Sequence, residues 1–575
     1  MKAFCLALIV CAVVAQHVEA QKMAPELSGR AMDEKVNVIV QFNAVPTATE
    51  HQMVQRHGGV FYRDLSMVKS GAYALSAAGL QSLAAEPSVA HISEDHTVHS
   101  LLDLSAAAVN AAAAWNAGFD GTGIGIAVID SGISQVDDLQ QEAEHFFFLT
   151  LPRFQNRIVY RQNFLNTVQT DDYYGHGEHV SGILAGSGYD SACQGCFRTF
   201  RGIASGASLI DLRVLDSNGN GADSYVIAAI QRAVELKNIY NIRVINLSLG
   251  HPIYESYKQD PLCQAVEMAW KAGIVVVAAA GNEGRDNTFG NHGYGTIGSP
   301  GNDPYVITVG AMKTMGTPTR TDDLIASYSS KGPTSVDLVV KPDLVAPGNR
   351  VVSLRAPLGS LESAYPGNLV GVSYYSNQPF SNLINSPAYF TLSGTSMATP
   401  VVAGAAAVLL QAHPELTPDQ VKARLMKTAY KTFPQYSVAF DSTTNQFFVD
   451  FYDVFTVGAG YLDIAAALAD RTVFSGTALS PTVSYRGETA YVACSSATVC
   501  SAQTVSGNQA IWGTQAIWGT SSVSANQAIW GTQAIWGTQA IWGTQAIWST
   551  AVTSAAASVT STQSAATRIL IHGEN

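Results

Sequence analysis

Five continuous apolar runs constrain the fold of this chain more than any other feature: GIGIAVID (123–130), ASLIDLRVL (207–215), IRVINLSL (242–249), GIVVVAAA (273–280) and YVITVGAM (305–312). A strand with one wet face alternates apolar and polar residues, whereas a strand buried on both faces reads as an unbroken apolar run. Helix-compatible segments, 177–185, 224–237 and 261–272, lie among these runs. Buried strands interleaved with helices predict an α/β architecture, a mostly parallel sheet with helices on both faces. Functional side chains should then gather where the carboxyl ends of the strands open. With 575 residues and 47% hydrophobic content, the chain has the material for such a core and for further domains.

The flanking regions differ in character. Lys2, the apolar stretch Ala3–Ala15 and the small-residue site Val18-Glu19-Ala20 predict a signal peptide over 1–20, so that the exported chain starts at Gln21. No run of 18 consecutive apolar residues follows, and no transmembrane segment is expected. Residues 35–100 show a β-α-β-β-α-β-like pattern and are expected to form a small α+β unit. The alanine-rich 101–118 is expected to be a linker leading into a helix. Residues 358–390, aromatic and polar, are expected to be surface loops with a hairpin. A helix is predicted within 413–429, with Thr417 as N-cap before Pro418, and 457–468 should end the main domain. From Ser506 the hexad Gln-Ala-Ile-Trp-Gly-Thr recurs and places Trp512, Trp518, Trp530, Trp536, Trp542 and Trp548. An even period puts all six on one face of an extended chain, which predicts a β repeat. Such a strip suits a self-packing stalk or contact with a cell surface or insoluble polymer.

The formal net charge of −12 argues against a nucleic-acid partner. Of seven cysteines, Cys5 and Cys11 leave with the signal. Cys193–Cys196 and Cys494–Cys500 are plausible local disulfides, with Cys263 left odd. The Cys193-Gln-Gly-Cys196 spacing also fits a redox or zinc motif, but no second ligand pair stands nearby.

Chemistry concentrates in four short stretches. Asp130 ends the strand GIGIAVID; His176 opens the helix in GHGEHVSG (175–182); Asn282 follows a strand in AAAGNEG (278–284); Ser396 stands at the start of a helix in TLSGTSMATPVVAGAAAVLL (391–410). Pro400 fits the first turn of that helix. A helix start offers free N–H groups where negative charge develops. A nucleophilic serine needs a base, the base needs a carboxylate to fix its tautomer, and a tetrahedral intermediate needs donors aimed at its oxyanion. Each residue alone has an idle reading as a cap, turn or metal ligand. The zinc reading of His176-Gly-Glu-His179 fails, because the two histidines are three apart, not four. An α/β-hydrolase reading fails as well: the serine lies in GTSMA rather than GxSxG, and the order is Asp130, His176, Ser396.

These stretches, with VIDSGI (128–133), VINLSLG (244–250), TIGSPGNDPYVITVGAM (296–312), KPDLVAPG (341–348) and SGTSMATPVVAGAAAVLL (393–410), closely resemble the subtilisin-like serine proteases over residues 123–470. The resemblance implies a secreted, bacterial serine endopeptidase of subtilisin-like fold, with Asp130, His176 and Ser396 as the triad and Asn282 as oxyanion donor. It implies a substrate strand pairing with Ser248-Leu249-Gly250. The S1 pocket would be walled by that segment, Ala280-Gly281 and Gly298, open to large apolar side chains, with Glu283 at its rim. Residues 21–103 then resemble the family's ferredoxin-like propeptide, a folding helper and intramolecular inhibitor, with cleavage between about His99 and Ser105. The peptidase domain would span 104–471 and a C-terminal extension 472–575. No cofactor is implied for catalysis; structural calcium is carried as an expectation without a location. Glu178 departs from the family's usual Thr and is expected either to raise the His176 pKa or to face solvent. The rival reading is a catalytically silent scaffold that acts as a surface adhesin through its Trp repeats.

Overall fold

The computed structural model describes residues 34–66, 69–94, 101–142, 154–165, 167–288, 290–377, 385–441, 444–486, 489–493 and 567–574, with Lys22, Met23, Leu27 and Met32 besides. The signal peptide, the expected cleavage region at 99–100, Cys494, Cys500 and every hexad tryptophan lie outside the described residues. The chain divides into two compact units, 1–98 and 99–575.

In the first unit, β1 (Lys35–Phe42) alternates in burial, with Val36, Val38, Val40 and Phe42 inward. It pairs antiparallel with β3 (Ser70–Ser76) and β4 (Val89–Glu94), and β2 (Val60–Leu65) adds to β3, giving the order β2-β3-β1-β4. Helix α1 (Ala48–Arg56) starts at a capping box between Thr47 and Glu50. Helix α2 (Ala77–Ala84) is capped by Ser76. Met53, Val54, Leu80 and Leu83 share a core with the sheet.

The second unit is built on an eight-stranded sheet. β5 (Gly125–Asp130) is central and buried along its whole length. The others on the path are β6 (Ile158–Asn163), β7 (Ser208–Arg213), β8 (Ile242–Leu247), β9 (Val275–Ala279), β10 (Ile307–Lys313) and β11 (Leu324–Ile325), in the order β11-β10-β9-β8-β5-β7-β6. β12 (Leu344–Pro347) also pairs with β10. All pairings are parallel except β10 with β11. All five apolar runs are strands of this sheet. Helices α3 (His176–Ala185) and α6 (Thr395–Ala412) pack on each other, while α4 (Asp223–Tyr240) and α5 (Pro261–Lys271) pack on each other. α6 rests on β8, β9 and β10 and α3 on β5, while α4 rests on β5, β7 and β8 and α5 on β9. The starts are locally encoded: Asp260 accepts from Leu262 N at 2.8 Å ahead of Pro261, and Thr417 with Gln420 forms a capping box for α7 (Pro418–Thr428).

α6 is the one helix among the described residues long and apolar enough on composition to cross a membrane; 83% of that window is buried, as in a core helix.

Several expectations change. Residues 101–118 are not a linker but two short helices, Leu101–Ala108 and Ala111–Asn116, with Val109, Ala111 and Ala114 in the core. The 358–390 region carries the antiparallel strand pair expected of a hairpin, with a third strand added to it. Its last part forms a strand, Asn385–Leu392, between Val351–Leu354 and Leu369–Gly371. There the buried Tyr389 hydroxyl donates to Asp138 Oδ2 at 2.7 Å. Packing continues past 471: Ala478, Ser480 and Val483 are buried, and so are Ile569, Leu570 and Ile571. Cys193–Cys196 is a disulfide, and Cys263 is free and buried.

Candidate active site

Because β5, β8 and β9 run parallel, their carboxyl ends open at one edge. Asp130 closes β5 at 1% exposure. The chain leaves through Ser131 and Gly132, whose φ of +115° suits glycine. Ser131 Oγ accepts from Gly177 N at 2.8 Å, which ties the exit of β5 to the first turn of α3. A Cβ on Gly177 would lie 2.3 Å from the Gly132 carbonyl oxygen, so this approach requires glycine. His176 is thereby set with Nδ1 at 2.7 Å from Asp130 Oδ1, which also accepts from Ser131 N at 2.8 Å.

Burial works against protonation of His176, but the Asp130 charge, its hydrogen bond and the more distant Asp172 outweigh it and hold the pKa above the ordinary imidazole value. His179, one turn on, is a packing residue. Its Nε2 lies 3.0 Å from Val351 O and 3.1 Å from Phe390 O, and burial, aided by the His176 charge, pushes its pKa down to about 3. Among the described residues no group of three or more His, Cys, Asp or Glu is arranged to hold a metal ion.

Glu178 does neither of the things expected of it. It is fully buried, its Oε2 accepts from Ser134 N, and Oε1 has no partner among the described residues. Burial, then the Asp172 charge, pushes its pKa well above the ordinary carboxylate value, and the charges that raise His176 are those of Asp130 and Asp172, not Glu178. The residue that sequence reading missed is Asp172. Its Oδ1 accepts from Tyr174 N (3.0 Å) and Gly175 N (2.8 Å), and its Oδ2 accepts from Glu178 N (2.8 Å), shaping the entry to α3. The available signal was an Asp three residues before a glycine at a helix start.

Asn282 follows β9. Its Oδ1 accepts from Thr395 N at 2.9 Å and Thr395 Oγ1 at 3.2 Å, which commits the carbonyl end and leaves Nδ2 for another acceptor. Nδ2 lies 3.2 Å from where a Cβ on Gly394 would stand; Gly394 has φ +145° and precedes α6. Thr395, also missed from sequence, joins the two segments, since Gly281 N donates to its Oγ1 at 3.2 Å.

Ser396 is the second residue of α6. Its hydroxyl donates to Ser248 O at 3.0 Å rather than to His176, and Ser248 Oγ donates back to Ser396 O at 2.8 Å. Pro400 explains the second bond and corrects its expected place. It sits in the second turn of α6, where its missing N–H would have bonded the carbonyl of Ser396. The freed oxygen goes to Ser248. Leu249 and Gly250 continue from Ser248, and His251 and Ser299 exchange backbone bonds of 3.0 and 2.8 Å. Ala280 O accepts from Gly298 N at 3.0 Å. The structure therefore brings together Asp130 with His176, Asn282 with the Ser396 turn, and Ser248, Leu249, Gly250, Ala280, Gly281 and Gly298 as neighbouring segments beside that turn. Chemically, the edge holds a hydroxyl, an imidazole fixed by a carboxylate, and amide donors at a helix start.

The sequence profile of the subtilase family matches residues 121–460. The chain is similar to serine protease AprX of Bacillus subtilis (strain 168), with 34% identity over 411 residues, 68% of this chain and 81% of that protein. It is also similar to subtilisin E of Bacillus subtilis (strain 168), with 31% identity over 414 residues, 71% of this chain and 88% of that protein. Subtilisin of Bacillus pumilus is 33% identical over 322 residues, 56% of this chain and 89% of that protein. The edge geometry and these likenesses agree, and the chain belongs to the subtilase family and is a serine-type endopeptidase.

Proposed function

We propose that the chain is a secreted bacterial endopeptidase that cuts peptide bonds through an acyl-enzyme at Ser396. His176 Nε2 removes the Ser396 proton as Oγ attacks the scissile carbonyl, and Asp130 stabilises the imidazolium that forms. Asn282 Nδ2 and the Ser396 N–H hold the oxyanion. The imidazolium then protonates the leaving amine, and a water deprotonated by His176 hydrolyses the ester. The observation that supports this best is the 2.7 Å Asp130–His176 bond at the sheet edge that also carries Asn282 and Ser396. The Ser396 hydroxyl, resting on Ser248 O, turns toward His176 as substrate enters.

Substrate extends along Ser248-Leu249-Gly250, and its P1 side chain enters between that segment, Ala280-Gly281 and Gly298. A glycine at 298 leaves room for a large apolar or aromatic side chain, while the carboxyl of Glu283 accommodates a basic one. Catalysis in this family draws on no cofactor. Residues 1–20 act as the export signal and 21–103 as a propeptide that assists folding and inhibits, removed by the enzyme itself.

A fluorophosphonate probe tests the assignment. Labelling of the mature protein, lost in Ser396→Ala together with casein hydrolysis, is expected; labelling that persists in that variant overturns it. Loss of about 10⁶ in kcat is the scale measured for the subtilisin serine, not one worked from this geometry.

A further inference from the structure

Residues 567–574, Thr-Arg-Ile-Leu-Ile-His-Gly-Glu, follow the hexad repeats yet lie in the body of the second unit. Residues 567–572 are helical. Ile569, Leu570 and Ile571 are at most 8% exposed and belong to the main core.

Their polar groups are held by residues far away in the sequence. Ser393 N donates to Leu570 O at 2.8 Å, and Asn368 Nδ2 donates to Ile571 O at 2.6 Å. Asn349 grips Glu574 twice: its Oδ1 accepts from Glu574 N at 2.8 Å, and its Nδ2 donates to Glu574 O at 2.6 Å. These are the paired main-chain bonds that a neighbouring strand would supply, here made by one side-chain amide. The Glu574 carboxylate, 4% exposed, meets Lys313 Nζ at 2.5 Å, Arg285 Nη2 at 3.0 Å, Ser327 N at 2.8 Å and Ser327 Oγ at 2.6 Å. Burial alone would push this carboxyl up; Lys313, Ser327 and Arg285 reverse that and hold it below the usual range. Gly573 has φ +60°, and a Cβ there would stand 2.3 Å from Ser393 Oγ and 2.7 Å from Asn349 Oδ1. The groove thus selects three apolar residues, an open position, glycine and then an acid, which meets the buried Lys313 and the part-buried Arg285, itself also paired with Asp441.

We propose that Arg285, Lys313, Ser327, Asn349, Asn368 and Ser393 form a recognition site for an Ile-Leu-Ile-x-Gly-Glu peptide, and that residues 567–574 are its occupant. Residues 489–493 and 567–574, on either side of the hexad repeats, both belong to the second unit, and a cut between 494 and 566 leaves 567–574 bound. The occupant also supports the nucleophile's turn: Ser393 is three residues before Ser396, and Gly394 N donates at 2.8 Å to the carbonyl of Gly348, next to Asn349.

The test uses the full chain with Ser396→Ala and a site for an unrelated, sequence-specific protease inserted between 551 and 560. After folding and cutting, native size exclusion with intact-mass analysis should show the fragment that ends at Asn575 co-eluting with the domain. Glu574→Gln and Gly573→Val, made in the same full chain, should each release it, with affinity lowered by roughly 10²-fold or more for the charge change. Hydrogen exchange in peptides spanning 389–397 should quicken in both variants, because the Ser393 amide loses its acceptor. A fragment that leaves the otherwise unaltered domain on cutting overturns the proposal. So does one that stays bound equally well with Glu574→Gln and Gly573→Val. A variant that does not fold as a full chain is replaced by Lys313→Gln, which should release the fragment by removing the other half of the ion pair; unchanged retention there counts against the site.

Discussion

Replacing Asp130 by Asn separates the charge of this residue from its shape. The two side chains are nearly isosteric, so the 2.7 Å contact with His176 Nδ1 is geometrically retained. What is lost is the stabilisation of the imidazolium. With charge centres roughly 4 Å apart and an effective dielectric constant of about 20, that interaction is worth ~4 kcal/mol. A transition state that develops the imidazolium therefore loses about 10³ in kcat. The tautomer adds to this. An Asn amide turned toward the ring donates to Nδ1 and leaves the ring proton on Nε2, facing the serine it should deprotonate. The combined loss is expected at roughly 10³–10⁴. The pH profile carries the sign. His176 must be neutral to accept a proton, and its pKa in the native protein is held above the ordinary value of 6.5, so the acid limb of kcat/KM should lie above that point. Without the Asp130 charge, burial dominates and the limb should move to lower pH while the plateau falls. The assay is hydrolysis of a chromogenic peptide across the pH range, on protein freed of its N-terminal unit at an inserted site for an unrelated protease. An acid limb that stays in place or moves upward, or a loss below about tenfold, would refute the reasoning.

Three further outcomes can be checked. Asn282→Ala should lower kcat by about 10²–10³ with little change in KM, the range measured for the equivalent subtilisin change; a KM effect alone would mean that Asn282 binds substrate rather than oxyanion. Burial, with Asp286 nearby, pushes Glu283 up to about 7, so kcat/KM for a P1 Lys substrate relative to P1 Phe should climb as pH rises through that value; a flat ratio would remove Glu283 from the pocket. Burial raises the folded pKa of Glu178 well above its ordinary value of 4.5, so its contribution to stability is full below the unfolded pKa and is lost as pH rises through the folded one. Glu178→Gln should accordingly be near-neutral in Tm at mildly acidic pH and increasingly stabilising at alkaline pH, by calorimetry on inhibited protein; a pH-independent difference would mean the carboxyl ionises freely.

The strands of the main sheet were legible because burial on both faces leaves no polar register to misread. The edge residues were legible because a parallel sheet sends its strand ends to one side, so a strand-final Asp130 and a post-strand Asn282 had to meet. Other features depended on neighbours distant in sequence. Glu178 looks like an exposed helix residue until Ser134 N is known to cover it. Pro400 looked like a helix-start proline, and only the Ser248 hydroxyl shows why a second-turn proline is tolerated. For Asn385–Leu392 a hairpin was legible, but not its second edge, which pairs with Val351–Leu354 from before the region. Residues 567–574 are too short to carry a period, and Asn349, Asn368 and Ser393, which hold their main chain, precede them by more than 170 positions.

The strand order has a consequence for time rather than for structure. β5 sits between β7 and β8, and Gly125 lies opposite Ile242, so the middle of the sheet cannot close until a long intervening stretch has been made and gathered. Such non-local parallel pairing loses loop entropy before contacts repay it, and this slows folding. At a given stability, slower folding means proportionally slower unfolding. For an enzyme that lives among copies of itself, each able to cut an opened chain, that slowness is protection: self-digestion is limited by how rarely the sheet comes apart.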